Sequence, residues 1–283
     1  MSPKFLINSL AVQSLFLSLG SAATYFTDFD SIPGSGSLSG SDGWVTNDPY
    51  VLAGNFGQAD FVGIVPGYSQ TLSDHWALLG GATGVTPGRS TIYLWQTVDL
   101  AGASDVSFTL GSMSVISSAS PRLSADTFGW TFRNSSDNTL FSLRLDPETD
   151  GQFGDLNVRM YDSSGSEFLA AGSGNWDIYY NSIYSLDVSV NSTGLVNVSL
   201  TDANSITTQV ITGAATGIDP ASIAGVAATW ILDTPGPGAD GSAQTSFGSN
   251  SLVFDNYSVI PEPSATLLFG VAGLGLVLRR RRA

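Results

Sequence analysis

The acidic stretch "DPETDGQFGD" sets Asp146, Glu148 and Asp150 at alternate positions with Gly151 next. That is the layout of the first half of a loop that folds carboxylate oxygens around calcium. The twelfth position, where a bidentate glutamate would close such a loop, is Asn157, which excludes an EF-hand and leaves a solvated acidic hairpin as the alternative. A second chemistry is sugar recognition, which pairs flat aromatic faces with Asp, Asn or Arg groups that bond hydroxyls. Trp44 and Tyr50 in "GWVTNDPY", Trp176, Tyr179 and Tyr180 in "NWDIYYN", and the guanidinium groups of Arg133, Arg144 and Arg159 are its candidates. For any one of them, the competing role is packing in the core or pairing with the abundant acids.

Catalytic constellations are harder to find. Glycoside hydrolysis needs two carboxyl groups in fixed roles, and the only glutamates are Glu148, Glu167 and Glu262. The sole histidine, His75 in "SDHWALLGG", has no serine partner motif, and no G-x-S-x-G elbow occurs. The chain reads as a non-enzyme, with a glycan-active hydrolase or lyase built on aspartates from distant strands as the alternative.

Composition says what must position these groups. With 283 residues, 42% hydrophobic and 32 glycines, the chain can bury a sizeable core, and its Val, Ile, Phe, Tyr and Trp between Gly, Asn, Asp and Ser turns favour an all-β body. Zero cysteines exclude disulfides and thiolate chemistry. Between the terminal segments the only basic residues are Arg89, Arg122, Arg133, Arg144 and Arg159, against 23 of the chain's 24 acids, a net charge of about −18. Such a body repels nucleic acid and anionic lipid.

Both ends read as addresses. Lys4, the apolar "FLINSLAVQSLFLSLG" and the small residues Ser21-Ala22-Ala23 have the order of a signal peptide cut by signal peptidase after Ala23. At the other end, 14 uncharged residues from Ala265 to Leu278 precede Arg279, Arg280, Arg281 and Arg282. A bilayer core asks for about 20 helical residues, so this is a short span, with its arginines held in the cytoplasm and the body outside. Ahead of it, Pro261-Glu262-Pro263 fixes an extended backbone that a protease can grip.

Pro261-Glu262-Pro263, the Gly/Leu-rich span and the terminal arginines together resemble the PEP-CTERM sorting signal of Gram-negative bacteria. The resemblance implies processing by the membrane peptidase exosortase, transient anchoring by the tail in the inner membrane, and delivery to the cell surface or extracellular matrix. It divides the chain into a signal peptide (1–23), a body (24–259) and a sorting segment (260–283).

The body contains about twelve alternating strands. "TFGWTFRN", "LFSLRLD" and "LNVRMYD" form a meander in which Phe132 faces Phe141 and Trp130 faces Leu143, with Arg133, Arg144 and Arg159 on its polar face. "YSLDVSV" and "LVNVSL" form a hairpin through "NSTG", and "IAGVAATWIL" is apolar enough to be buried on both sides. So many strands imply a two-sheet antiparallel sandwich.

The opening "FTDFDSIPGSGSLSGSDGW", the central "FGWTFRN" and the final "FDNYSV" resemble concanavalin A-like jelly rolls; a galactose-binding-like jelly roll and an immunoglobulin-like pair are the alternatives. The resemblance implies that the first and last strands are neighbours, bringing Asp28 or Asp30 near Asp255 as a second calcium candidate. Hydrolases of this fold carry Glu-x-Asp-x-x-Glu on one strand, a spacing absent here. The reading is therefore an exported, exosortase-processed, non-catalytic envelope protein with weak polysaccharide binding.

Overall fold

The structure, a computed structural model, describes residues 24–29, 38, 40, 43–47, 76–80, 90–100, 102–117, 126–147, 155–168, 177–232 and 250–262. Two seven-stranded antiparallel sheets face each other. Sheet A runs β1 (Tyr25–Thr27), β14 (Asn250–Glu262), β5 (Asp105–Ser117), β10 (Tyr184–Val190), β11 (Leu195–Asp202), β12 (Thr207–Ala215), and β3 (Ala77–Gly80) also pairs with β14. Sheet B runs β2 (Trp44–Thr46), β4 (Thr91–Thr97), β13 (Gly225–Ile231), β6 (Thr127–Arg133), β7 (Thr139–Pro147), β8 (Asp155–Asp162), β9 (Asp177–Tyr179). The expected two-sheet sandwich is present. The described residues hold fourteen strands where the sequence suggests about twelve. Three-residue strands such as β2 and β9 are too short to display an alternation.

The expected registers follow from apolar alternation. Phe132 pairs with Phe141 and Trp130 with Leu143, and the first pair stacks with ring centroids 4.2 Å apart. Val190 pairs with Val196 across the next hairpin. β13 is buried along Gly225–Trp230 because it lies between β4 and β6 and packs its other side on the core. The first and last strands are neighbours, with Tyr25 opposite Val259 and Thr27 opposite Tyr257.

Four hairpin turns use one device. Asn134, Asp162, Asn191 and Asp202 each accept, through Oδ1, backbone N–H groups two and four residues on. In each, the fourth residue adopts positive φ: Asp137 (62°), Gly165 (83°), Gly194 (73°) and Ser205 (62°). A short side-chain acceptor thus replaces the backbone partners that a tight turn leaves open. This is how Ser- and Asn-rich sequence becomes sharp strand connections.

The core is aromatic where β14 crosses sheet B. Phe254 and Tyr257 are both fully buried although three residues apart. Asn256, at φ 53°, interrupts the ladder between them without shifting its register: Asp255 stands opposite Ser112 and Tyr257 opposite Leu110. Gly111 accommodates it, since a Cβ there would lie 2.7 Å from the Asn256 Cβ. The left-handed backbone at Asn256 resets the side-chain alternation so that both rings face inward, and Leu110 and Met113, also three apart, are both buried on the facing stretch of β5. Tyr257 then donates its hydroxyl to the Val226 carbonyl at 2.8 Å, tying sheet A to sheet B.

Candidate functional site

The outer face of sheet B collects the polar chemistry of the body. On β4, Ile92 and Leu94 point into the core, so Tyr93 and Trp95 lie on the opposite face. Across β13 these two pair with Thr229 and Ala227, and Gly225 is the next small residue on that face. Small residues on β13 leave a trough. Through it the Arg133 guanidinium reaches from β6 to lie 4.7 Å from the Tyr93 ring centroid and 4.5 Å from that of Trp95. Arg133 donates to the Asp137 carbonyl from Nη2 at 2.6 Å and Nε at 3.2 Å, while its buried Nη1 has no hydrogen-bond partner. A cavity of about 40 Å³ opens beside it, lined by Trp95, Thr97, Arg133, Asn134 and Gly225 among others.

A second guanidinium–aromatic unit lies two strands away. Arg144 on β7 sits 4.0 Å over the Tyr161 ring on β8. Arg144 pairs directly with Arg159 across the ladder. Arg159 has Glu167 at 3.4 Å, whereas Arg144 enters no ion pair among the described residues and its buried Nε has no partner. Opposite Arg144 on its other side is Gly129, where a Cβ would fall 2.1 Å from the Leu143 carbonyl oxygen. Between the two units runs a buried hydroxyl row: Thr229 donates to Thr131 at 2.8 Å, and Thr131 and Ser142 share a bond at 3.1 Å.

Asp146 also stands on this face. Its Oδ2 accepts the Tyr161 hydroxyl at 2.5 Å and its Oδ1 accepts Thr127 Oγ1 at 3.1 Å. Burial, with the neighbouring Asp146 carboxylate, pushes the Tyr161 hydroxyl up to about 12. The phenol therefore stays protonated at neutral pH and cannot serve as a base there. Asp146 thus has two donors of its own, and the other residues of the candidate calcium loop, Glu148 and Asp150, lie outside the described residues.

At the second candidate, Asp28 follows a strand paired with β14. Asp255 is buried and accepts Asn256 N at 2.6 Å and Asn256 Nδ2 at 2.8 Å. Asp30 is outside the described residues. No group of three or more His, Cys, Asp or Glu able to hold a metal occurs among the described residues.

The sugar candidates divide. Trp44 is fully buried, its ring 5.1 Å from Tyr257 and 5.7 Å from Phe29. It is a core residue, which corrects its reading as a sugar platform: β2 turns that side inward, while Val45 faces out. Tyr179 is exposed on edge strand β9 and Tyr180 is buried. Arg133, Arg144 and Arg159 do share one face, as expected. Tyr50, Trp176 and His75 lie outside the described residues. The sequence reading missed Tyr93, Trp95 and Tyr161, although the alternation in "TIYLWQT" and the small residues in "GVAATW" carry the signal.

The sorting residues also divide. Pro261 and Glu262 are the last rungs of β14, opposite Val106 and Asp105, so the strand runs past the boundary expected at Val259. Ala23, Pro263 and Arg279, Arg280, Arg281 and Arg282 lie outside the described residues. No described helix is long and apolar enough to cross a membrane.

Comparison with known proteins gives one sequence motif and several distant structural likenesses. Residues 259–282 match the PEP-CTERM protein-sorting motif. No curated protein sequence matches the chain. Among solved structures, it is similar to a winged bean acidic lectin complexed with methyl-α-D-galactose (13% identity, 84% of this chain and 98% of that one, TM-score 0.48). It is similar also to the Lotus tetragonolobus seed lectin (12%, 84% and 97%, TM-score 0.47). An alginate lyase in complex with alginate tetrasaccharide matches at 11% identity over 86% and 99%, with a TM-score of 0.43. At these identities and TM-scores no activity carries over.

Proposed function

We propose that the chain is an exported, exosortase-processed protein of the Gram-negative envelope or extracellular matrix, non-catalytic, whose sheet B face binds polysaccharide weakly. Export rests on the PEP-CTERM motif at residues 259–282, together with the signal-peptide pattern that ends at Ala23. Signal peptidase and exosortase are its processing partners.

The binding reading rests on one observation: two guanidinium–aromatic units, Arg133 with Tyr93 and Trp95, and Arg144 with Tyr161, share one strand face. Guanidinium N–H groups bond paired hydroxyls in the plane of the fork, and aromatic rings take the apolar side of a sugar. The Tyr161 hydroxyl, held protonated, favours binding over proton abstraction.

The test is a glycan array with the purified protein, followed by a reducing-end assay on each polysaccharide that binds. Binding without release of new ends, weakened about tenfold or more by Arg144→Ala, is the expected result. Release of reducing or unsaturated ends would replace this reading with the hydrolase or lyase one.

A further inference from the structure

The sorting tripeptide is partly built into the sandwich. β14 pairs with β5 down to Glu262 opposite Asp105. Glu262 is fastened there twice, its Oε1 accepting Ser107 Oγ at 2.9 Å and its carbonyl accepting Ser104 Oγ at 3.2 Å. The single Ser104 proton is shared with Asp105 Oδ2, 2.8 Å from the same Oγ, and Asp105 Oδ1 accepts the Ser192 N–H at 3.0 Å, which anchors the fastening to the β10–β11 turn. Pro261 is buried. On the far side of β14 the ladder with β1 stops at Val259 opposite Tyr25. Among the described residues, Pro261 therefore has no second neighbour awaiting its missing N–H.

We propose that the folded body gates its own processing: a peptidase must peel Ile260, Pro261 and Glu262 from β5 before it can grip Pro261-Glu262-Pro263. Two features make peeling local rather than global. Among the described residues, 260–262 pair with β5 alone and form the end of β14, so they can fray without opening the rungs that β1 and β3 hold. Peptidases bind substrate as an extended strand along their own backbone, a place that β5 already occupies.

Chain length leaves no way around the peeling. Only Pro263 and Ser264 separate Glu262 from the apolar run that begins at Ala265. Extended, that is about 10 Å from one to the other. A membrane peptidase has no slack to draw on while the rungs stay closed. The covalent step is unaltered: a peptide bond near the motif breaks, water or another nucleophile takes the acyl group, and the tail leaves as an amine.

This proposal rests on the sorting reading above, and one pulse-chase experiment separates the two. Ile260 and Ser107 face each other directly across the ladder, within the Cα separation that a disulfide spans. The chain has no cysteine of its own, so Ile260→Cys/Ser107→Cys forms a single defined lock in an oxidising envelope. In an exosortase-bearing host, the full chain with the lock closed is expected to be processed at least about tenfold more slowly than either single-cysteine variant. Ser104→Ala/Ser107→Ala, which loosens Glu262, is expected to be processed about three- to tenfold faster than the unaltered chain. Equal rates with the lock closed overturn the gate. Failure of the unaltered chain to be processed overturns the sorting reading and the gate with it.

Discussion

Arg144 and Arg159 stand directly opposite each other on β7 and β8, like charges at a spacing where sheets ordinarily place opposite ones. Glu167 offsets Arg159, and the Tyr161 ring carries Arg144. An arrangement that works against stability on an otherwise acidic body supports the proposal that this face meets a ligand.

Trp95 and Trp44 are expected to behave as opposites. Trp95→Ala removes ring surface beneath Arg133 and should lower polysaccharide binding while leaving the thermal transition within a few degrees. Trp44→Ala empties a fully buried site and should cost about 3–5 kcal/mol, with the face intact in whatever remains folded. Thermal unfolding alongside a binding titration separates the two.

Tyrosine absorbance at alkaline pH tests the Tyr161–Asp146 contact. The folded value of Tyr161, about 12, lies above its ordinary value of 10.0, so the folded state favours the protonated phenol. Its contribution is complete below pH 10 and is lost as pH rises through 12. Tyr161→Phe should remove one late-ionising group from the titration. Tyr257 is pushed higher still by complete burial and should ionise only on unfolding.

Tyr257→Phe deletes the hydroxyl bond between the sheets and leaves the ring in place. The expected loss is about 1–2 kcal/mol, read as a lower urea midpoint with unchanged slope.

Gly129→Ala should be among the most damaging small substitutions in the chain. The new methyl meets backbone at 2.1 Å, which no rotamer change relieves, so β6 and β7 must separate. About 2–3 kcal/mol of destabilisation and loss of binding through displaced Arg144 are expected together.

The four matching hairpins supply an internal control. Two place glycine at the positive-φ position, and two place Asp137 or Ser205 there. Ser205→Gly should raise stability by roughly 0.5–1 kcal/mol, because a side chain there strains the left-handed backbone. Urea denaturation measures the gain.

The meander and the central hairpin were legible because each buried side chain had an apolar partner at one register only: slipping Phe132 past Phe141 by one residue would expose both. The adjacency of first and last strands came from family resemblance and is present in the structure. Trp44 misled because aromatic type carries no sign of which way a three-residue strand turns it. Tyr93 and Trp95 were missed for a related reason. Their importance comes from Arg133 reaching over Gly225 and Ala227, a contact between residues far apart in the chain and on three strands. Asp146 looked like a metal ligand from its acidic neighbours, but its donors, Thr127 and Tyr161, arrive from two other strands.

The position of β14 governs timing as well as architecture. It is the last strand to be made, yet it lies inside sheet A, where β1 and β3 both pair to it and β5 is zipped along most of its length. A chain leaving a translocation channel amino end first carries β1 across without a partner and cannot complete sheet A until Glu262 has followed. On the export reading proposed above, sheet A is therefore completed only after the residues that adjoin the sorting segment have followed.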